Sequence, residues 1–322
     1  MKCIVKHIKF LICTLALGVA VSGCSSANAS ITDFESGNYV KTPYKAEGYA
    51  SSLCIATENV ESDSVELDSG LHAVGLFDVT EGNVLYASNI HKKLYPASTT
   101  KILTAYIALK YGNLSDTVTV SKNATEFPFG ASLAQLKEGD QISLGELLYG
   151  LLLPSGNDAA VAIAEHISGS VEEFAKLMNS EAYSLGATNS HFVNPHGLHD
   201  DNHYTTAYDL YLIFNACRQQ DEFLKVVSEK SHTGIIKGKD GTQRKVLWEN
   251  TSLYMTGEAE KPKTVEYLGG KTGNTDEAKR CLIAYTKDSQ NHYYVSIVMG
   301  ADGKPLLYQN MNELLNQAVL AN

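Results

Sequence analysis

The sequence predicts an α+β fold, and three observations carry that expectation. Strand-like segments stand at both ends of the folded part: residues 72–78 and 84–88 near its start, and 267–273, 281–287 and 292–299 near its end. Between them lie apolar runs of helical length bounded by capping signals. With 322 residues, 44% hydrophobic and 19% charged, the chain can bury the core of one large domain or two small ones. No internal repeat is visible.

Each element has a local reason. Thr80-Glu81-Gly82-Asn83 supplies a turn between the first two strands. Ser98 then leads an apolar run of Ile102, Leu103, Ala105, Tyr106, Ile107 and Leu109, the pattern of a buried helix that begins at Ser98. Ser143 and Glu146 form a capping box ahead of a helix through 147–153. Pro154-Ser155-Gly156 interrupts it, and a new helix starts about Asp158, which leaves Ser155 and Asn157 on a short loop between buried helices. Ser170 and Glu173 cap the next helix. Asp240-Gly241 marks a hairpin between 235–237 and 244–247. Three strands follow, and 311–320 reads as a closing helix.

The first residues read as a targeting segment. Lys2, Lys6 and Lys9 precede an apolar stretch over 10–21, too short to span a bilayer comfortably. Val21-Ser22-Gly23-Cys24 resembles a bacterial lipobox, so cleavage after Gly23 and lipid on Cys24 are expected. This divides the chain into a signal peptide (1–23), a polar tether and lead-in (24–69) and a folded domain (70–322). No apolar run reaches 18 residues, so membrane attachment is expected through the N-terminus, on the outer face of the cell membrane. Cys54, Cys217 and Cys281 are odd in number and far apart, which reads as buried free thiols. A net charge of −10 argues against nucleic acid as a partner. No Cys/His spacing suggests zinc. His191, His196, His199 and His203, with Asp200 and Asp201, fit no metalloprotease pattern and read as structural. Phe127 and Phe129 could line a cleft or simply pack.

The chemistry concentrates in Ser98-Thr99-Thr100-Lys101. Three residues apart on a helix, hydroxyl and amine share a face. A helix start favours developing negative charge, and an apolar setting lowers a lysine pKa. A neutral Lys101 can then take the proton of Ser98, giving a serine nucleophile without histidine. One such tetrad is a weak signal. Ser155-Gly156-Asn157 and Lys271-Thr272-Gly273, in that order downstream, make it a strong one.

These three motifs resemble those of penicillin-binding proteins and serine β-lactamases. Their contexts, Tyr95-Pro96-Ala97-Ser98, Leu153-Pro154-Ser155-Gly156-Asn157-Asp158-Ala159, Asn194-Pro195-His196-Gly197-Leu198 and Gly269-Gly270-Lys271-Thr272-Gly273, resemble the low-molecular-mass D-alanyl-D-alanine carboxypeptidases. The resemblance runs from about Gly70 onward. It implies an antiparallel sheet flanked by helices with an inserted helical subdomain, and an active site between them. Ser98 is then the nucleophile and Lys101 its base. Ser155 relays a proton and Asn157 contacts the substrate backbone and orients Lys101. Lys271 and Thr272 meet the substrate carboxylate, and Gly273 lets the strand approach the substrate. The backbone N–H groups of Ser98 and Asn274 form the oxyanion site. The implied substrate is a peptidoglycan stem peptide ending in D-Ala-D-Ala, with β-lactams as covalent inhibitors and no cofactor or metal. The chain departs from the family in two places: Lys279 follows Ala278 where a glycine is common, and no arginine follows Arg280. Lys271 and Thr272 are therefore expected to carry more of the carboxylate binding. The alternatives are a β-lactamase, a D,D-endopeptidase, or a non-catalytic penicillin-binding sensor lipoprotein.

Overall fold

A computed structural model describes residues 53–60 and 65–320. The expected signal peptide, Cys24 and most of the tether lie outside the described residues. In chain order the elements are β1 (Ala73–Asp78), β2 (Asn83–Ser88), a 3-10 turn (Ala97–Thr100), α1 (Lys101–Tyr111) and β3 (Thr117–Thr119). A short 3-10 turn (Asn123–Thr125), β4 (Gln141–Ser143), α2 (Leu144–Leu152), α3 (Asn157–Ser168), α4 (Val171–Ser184), α5 (Ala207–Cys217) and α6 (Asp221–Val227) follow. The chain then forms β5 (Ser231–Lys237), β6 (Gln243–Glu249), α7 (Leu253–Thr256), β7 (Val265–Thr275), β8 (Lys279–Asp288), β9 (Tyr293–Ala301) and α8 (Lys304–Leu320).

The α+β expectation holds, with two sheets. The larger is antiparallel in the order β2-β1-β9-β8-β7, so strands from the two ends of the domain pair at its centre. Both faces are covered, and the strands split their side chains accordingly. Phe77, Ile283 and Ile297 join one core with Leu210, Tyr211 and Phe214 of α5. Leu76, Leu282 and Val298 join another with Leu307, Met311 and Leu314 of α8. The second sheet, β3-β4-β5-β6, contains the Asp240-Gly241 hairpin, and its short strands β3 and β4 carry no pattern long enough to read in advance.

Caps hold where they were expected. Ser143 Oγ accepts from Glu146 N and Ser170 Oγ from Glu173 N, each at 3.1 Å. Thr206 caps α5 in the same way, through Asp209 N at 3.0 Å. Ser98 does not begin an α-helix. It lies in the 3-10 turn, and the α-helix proper starts at Lys101. Asn157 is the first residue of α3 rather than part of the loop. The closing helix starts at Lys304, earlier than 311, because Pro305 is tolerated in a first helical turn.

The packed unit also begins before Gly70. Cys54 is fully buried, its Sγ donates to Asp78 O at 3.2 Å, and its N–H donates to Tyr211 Oη at 2.9 Å. Val60 bridges Ala87 on β2. This part of the lead-in is a layer of the domain. Cys54, Cys217 and Cys281 are free and buried.

Candidate active site

The three motifs converge. Lys101 is fully buried, and its Nζ has three neighbours: Ser98 Oγ at 3.0 Å, Asn157 Oδ1 at 2.7 Å and His196 O at 2.6 Å. Two of these are carbonyl oxygens that can only accept. A neutral amine satisfies both with its two hydrogens and keeps its lone pair for the Ser98 hydroxyl proton. Burial first, and repulsion from Lys271 second, hold the Lys101 pKa well below the usual lysine range, with Asp158 opposing. Geometry and electrostatics therefore favour the same state, an amine aimed at a serine O–H.

A second hydroxyl–amine pair stands opposite. Lys271 Nζ donates to Ser155 Oγ at 3.0 Å and to Thr272 O at 2.9 Å. Burial lowers the Lys271 pKa to about 7. The lysine is only 1% exposed and is directed at Ser155, so its charge acts from behind the cleft wall. Thr272 Oγ1 shares a hydrogen bond of 2.6 Å with Thr251 Oγ1. Gly273 lies where an added Cβ would come 2.9 Å from Pro96 O and 3.2 Å from Ala97 Cβ. The side-chain-free residue thus lets β7 press against the turn that carries Ser98, a reason the sequence did not suggest.

The supporting residues fix both pairs. Ala97 and Ser155 adopt φ of 48° and 62°, conformations rare for residues with a side chain. Such strain persists only where the surroundings over-determine it. For Ala97 the surroundings are the loop through Asn194-Pro195-His196-Gly197. Gly197 (φ 86°) sits so close that an added Cβ would lie 1.8 Å from Ala97 O. The His196 carbonyl holds Lys101, and Pro195 O accepts from Thr104 Oγ1 at 2.6 Å. His203 links this loop to the turn: its Nδ1 accepts from Val193 N at 3.1 Å and its Nε2 lies 2.8 Å from Thr100 Oγ1. Burial lowers the His203 pKa to about 4 and that of His196 to about 3, so both rings are neutral where the lysines work. The remaining two histidines bind locally, His191 to Asn202 O at 2.6 Å and His199 edge-on to Tyr95.

A further set holds the Ser155 loop. Asp158 accepts from the backbone N–H groups of Ala134, Leu136 and Ala159. Asn157 N donates to Ser132 O at 2.8 Å. Phe127 packs edge-on against His196 with ring centres 5.5 Å apart, whereas Phe129 is fully exposed.

Ser98, Ser155, Thr272 and Asn274 open onto one cleft of about 230 Å³. Four more polar residues line it that sequence reasoning did not assign there: Ser132, Thr251, Arg280 and Lys304. Ser132 and Thr251 arrive from loops with no motif. Arg280 and Lys304 arrive through strand register and helix packing. No local signal marks any of them. Such a cleft can activate a serine hydroxyl, pass a proton through a second serine, and hold an anion.

Comparison with known proteins agrees with this geometry. Residues 57–303 match the D-alanyl-D-alanine carboxypeptidase family. The chain is 37% identical over 233 residues to D-alanyl-D-alanine carboxypeptidase DacA of Haemophilus influenzae, covering 70% of this chain and 56% of that protein. It is 37% identical over 237 residues to D-alanyl-D-alanine carboxypeptidase DacF of Bacillus subtilis, covering 70% and 56%. The matches thus span a little over half the length of these relatives. The crystal structure of the Streptomyces K15 DD-transpeptidase superposes with a TM-score of 0.73 at 28% identity, over 80% of this chain and all of that one. Matched along most of its described length, and with the three motifs of that family gathered around one cleft, the chain belongs to the D-alanyl-D-alanine carboxypeptidase family.

Proposed function

We propose that this protein is a serine-type D-alanyl-D-alanine carboxypeptidase that removes the terminal D-alanine from peptidoglycan stem peptides. The observation that carries the reading is Lys101 Nζ, 3.0 Å from Ser98 Oγ with two carbonyl oxygens as its remaining partners. Lys101 accepts the Ser98 proton as Oγ attacks the carbonyl carbon of the D-Ala-D-Ala bond. The backbone N–H groups of Ser98 and Asn274 receive the oxyanion, and one such donor is worth ~3–4 kcal/mol of barrier. Ser155, in contact with Lys271, delivers a proton to the leaving D-alanine nitrogen. Asn157, Thr272, Gly273 and Asn274 hold the substrate strand. Water then hydrolyses the ester on Ser98. β-Lactams present the same amide and carboxylate and acylate the same serine.

The β-lactamase alternative needs a base for fast deacylation. Glu165 of α3 bonds Ser121 Oγ at 2.6 Å and Asn123 Nδ2 at 2.8 Å, and no carboxylate is among the described residues lining the cleft. This favours a long-lived acyl-enzyme with penicillin.

The test is mass spectrometry of a stem pentapeptide incubated with the purified protein, beside labelling by a fluorescent penicillin. Release of a single D-alanine is expected, and Ser98→Ala should abolish both release and labelling. Normal labelling of the variant would reject Ser98 as the nucleophile.

On the Val21-Ser22-Gly23-Cys24 pattern we further propose that the enzyme works outside the cytoplasm, held to the outer face of the membrane by lipid on Cys24 after removal of residues 1–23. Multiple acyl chains anchor stably where one does not. Cys24→Ser should release the protein into the medium; a variant that still fractionates with membranes would rule the anchor out.

A further inference from the structure

The second sheet has one long edge left open. In the order β3-β4-β5-β6, nothing among the described residues pairs with the outer side of β6. The other edge, β3, is three residues long. β6 has seven residues and no proline, and it pairs with β5 without a register shift. Proteins commonly blunt an edge by shortness, proline or a bulge, and β6 carries none of these.

The alternation of the hairpin says which groups face outward. Gly238 N donates to Thr242 O at 2.7 Å, and Asn250 N donates to Lys230 O at 2.9 Å. These bonds set the phase of the ladder, so Arg244, Val246 and Trp248 turn their backbone groups to β5. The N–H and C=O of Lys245, Leu247 and Glu249 therefore point to the open side. The side chains of the same three residues stand on the solvent face. Leu247 is 59% exposed, and Ile235, its diagonal neighbour on β5, is 51% exposed. Val246 and Trp248, on the inner face, are buried.

The charges along this edge complement themselves. Antiparallel pairing of β6 with a second β6, about a two-fold axis at Leu247, sets Leu247 against its own copy. Lys245 then meets Glu249 of the other copy, and the pair occurs twice. Neither residue has an ion pair within its own chain among the described residues. A lysine on an edge strand ordinarily keeps a second strand away. Here Glu249 lies as far beyond the axis as Lys245 lies before it, and answers that charge. The register that matches the charges also matches the hydrogen-bond phase. It joins Ile235 and Leu247 of both copies into one apolar stripe across the junction.

We propose that two copies of this chain associate through β6, extending the four-stranded sheet to eight strands. The contact is independent of the chemistry at Ser98. Thr251 of the cleft wall follows β6 by two residues, so the two clefts lie at opposite ends of the paired strands.

The experiment uses the full-length protein. Leu247→Cys should cross-link to itself under mild oxidation, since facing Cα atoms in such a pair lie roughly 5.5 Å apart, within disulfide reach. Thr233→Cys, opposite Leu247 on β5, should not, because the two β5 strands would stand roughly 14 Å apart. Cys54, Cys217 and Cys281 are buried, so the wild type sets the baseline. In sedimentation equilibrium, Lys245→Glu or Glu249→Lys alone should weaken dimerisation ~10-fold or more, by setting like charges face to face twice. The double variant Lys245→Glu/Glu249→Lys should return to within about threefold of wild type, a rescue that only this register supplies. Labelling by fluorescent penicillin at the wild-type rate should show each variant to be folded. Should a charge variant fail that check, the Leu247→Cys cross-link decides. A wild-type protein that stays monomeric at every concentration, whether β6 is bare or covered by the chain's own lead-in, would overturn the proposal. So would equal cross-linking at Thr233 and Leu247, or a double variant no better than the single ones.

Discussion

At the scale of single residues, the site depends on two lysines kept where lysine is least stable. For Lys271 the sign of the effect on stability can be worked out. Its pKa is about 7 in the folded protein against 10.5 for a free side chain. Between those values the unfolded chain holds the extra proton, so stability rises with pH across the window and the full penalty applies below it. Lys271→Met should therefore raise the melting temperature at pH 6–7 by a few degrees, consistent with ~1–2 kcal/mol after loss of the bonds to Ser155 and Thr272 O. Its stability should also vary less between pH 7 and 10. Acylation by penicillin should fall by orders of magnitude in the same variant. A melting temperature lower than wild type at neutral pH would show that the hydrogen bonds outweigh the buried charge. The identity of these residues was legible in the sequence, because motif order is a linear property. Their protonation was legible only in direction, since burial is set by neighbours far along the chain.

At the scale of elements, the turn that carries Ser98 and the loop that carries His196 act as one part. The loop supplies the carbonyls that hold Lys101 and Thr104, and it fits only because Gly197 lacks a Cβ. Gly197→Ala combines a positive φ with a contact of 1.8 Å to Ala97 O, so the backbone must move. We expect a loss of ~2 kcal/mol or more and a large drop in acylation rate. Gly169→Ala is the control. It has a similar φ of 81° at the end of α3 but open space around it, and should cost only ~1 kcal/mol with acylation unaffected. Equal behaviour of the two variants, by denaturant melts and penicillin labelling, would remove the argument from close approach. Capping boxes and hairpin turns were readable here, since they are written within four residues. The 3-10 geometry at Ser98 was not, because nothing in Ala97-Ser98-Thr99-Thr100 distinguishes it from an α-helix start. The contacts of Gly197 and Gly273 impose it from outside.

At the scale of the molecule, the second sheet braces the cleft through Trp248. Its ring is buried, and its Nε1 donates to Ala134 O at 2.9 Å. Ala134 N in turn donates to Asp158, and Ser132 O, two residues earlier, holds Asn157 N. Trp248→Ala should cost ~3–5 kcal/mol and slow acylation, because the segment that fixes the Ser155 loop loses its support. Trp248→Phe keeps most of the apolar contact and should cost ~1–3 kcal/mol, with a smaller kinetic effect. Full-rate acylation by a folded Trp248→Ala variant would show that the brace matters for stability alone.

The sequence by itself determined the three motifs, the family resemblance and the fold class. Ser98, Lys101, Ser155, Asn157, Lys271 and Thr272 could be named because local spacing and the pattern around each motif carry that information. Strands at both ends with helices between them were enough for α+β. Tertiary structure alone decided the rest. It closed the sheet by pairing β1 with β9, and it folded residues 53–60 into the domain. It turned Lys271 toward Ser155, and it brought Ser132, Thr251, Arg280 and Lys304 to the cleft wall. The physical reason is the same in each case. These facts depend on which surfaces meet, and long-range packing and strand register leave no mark within the few residues that local patterns can read.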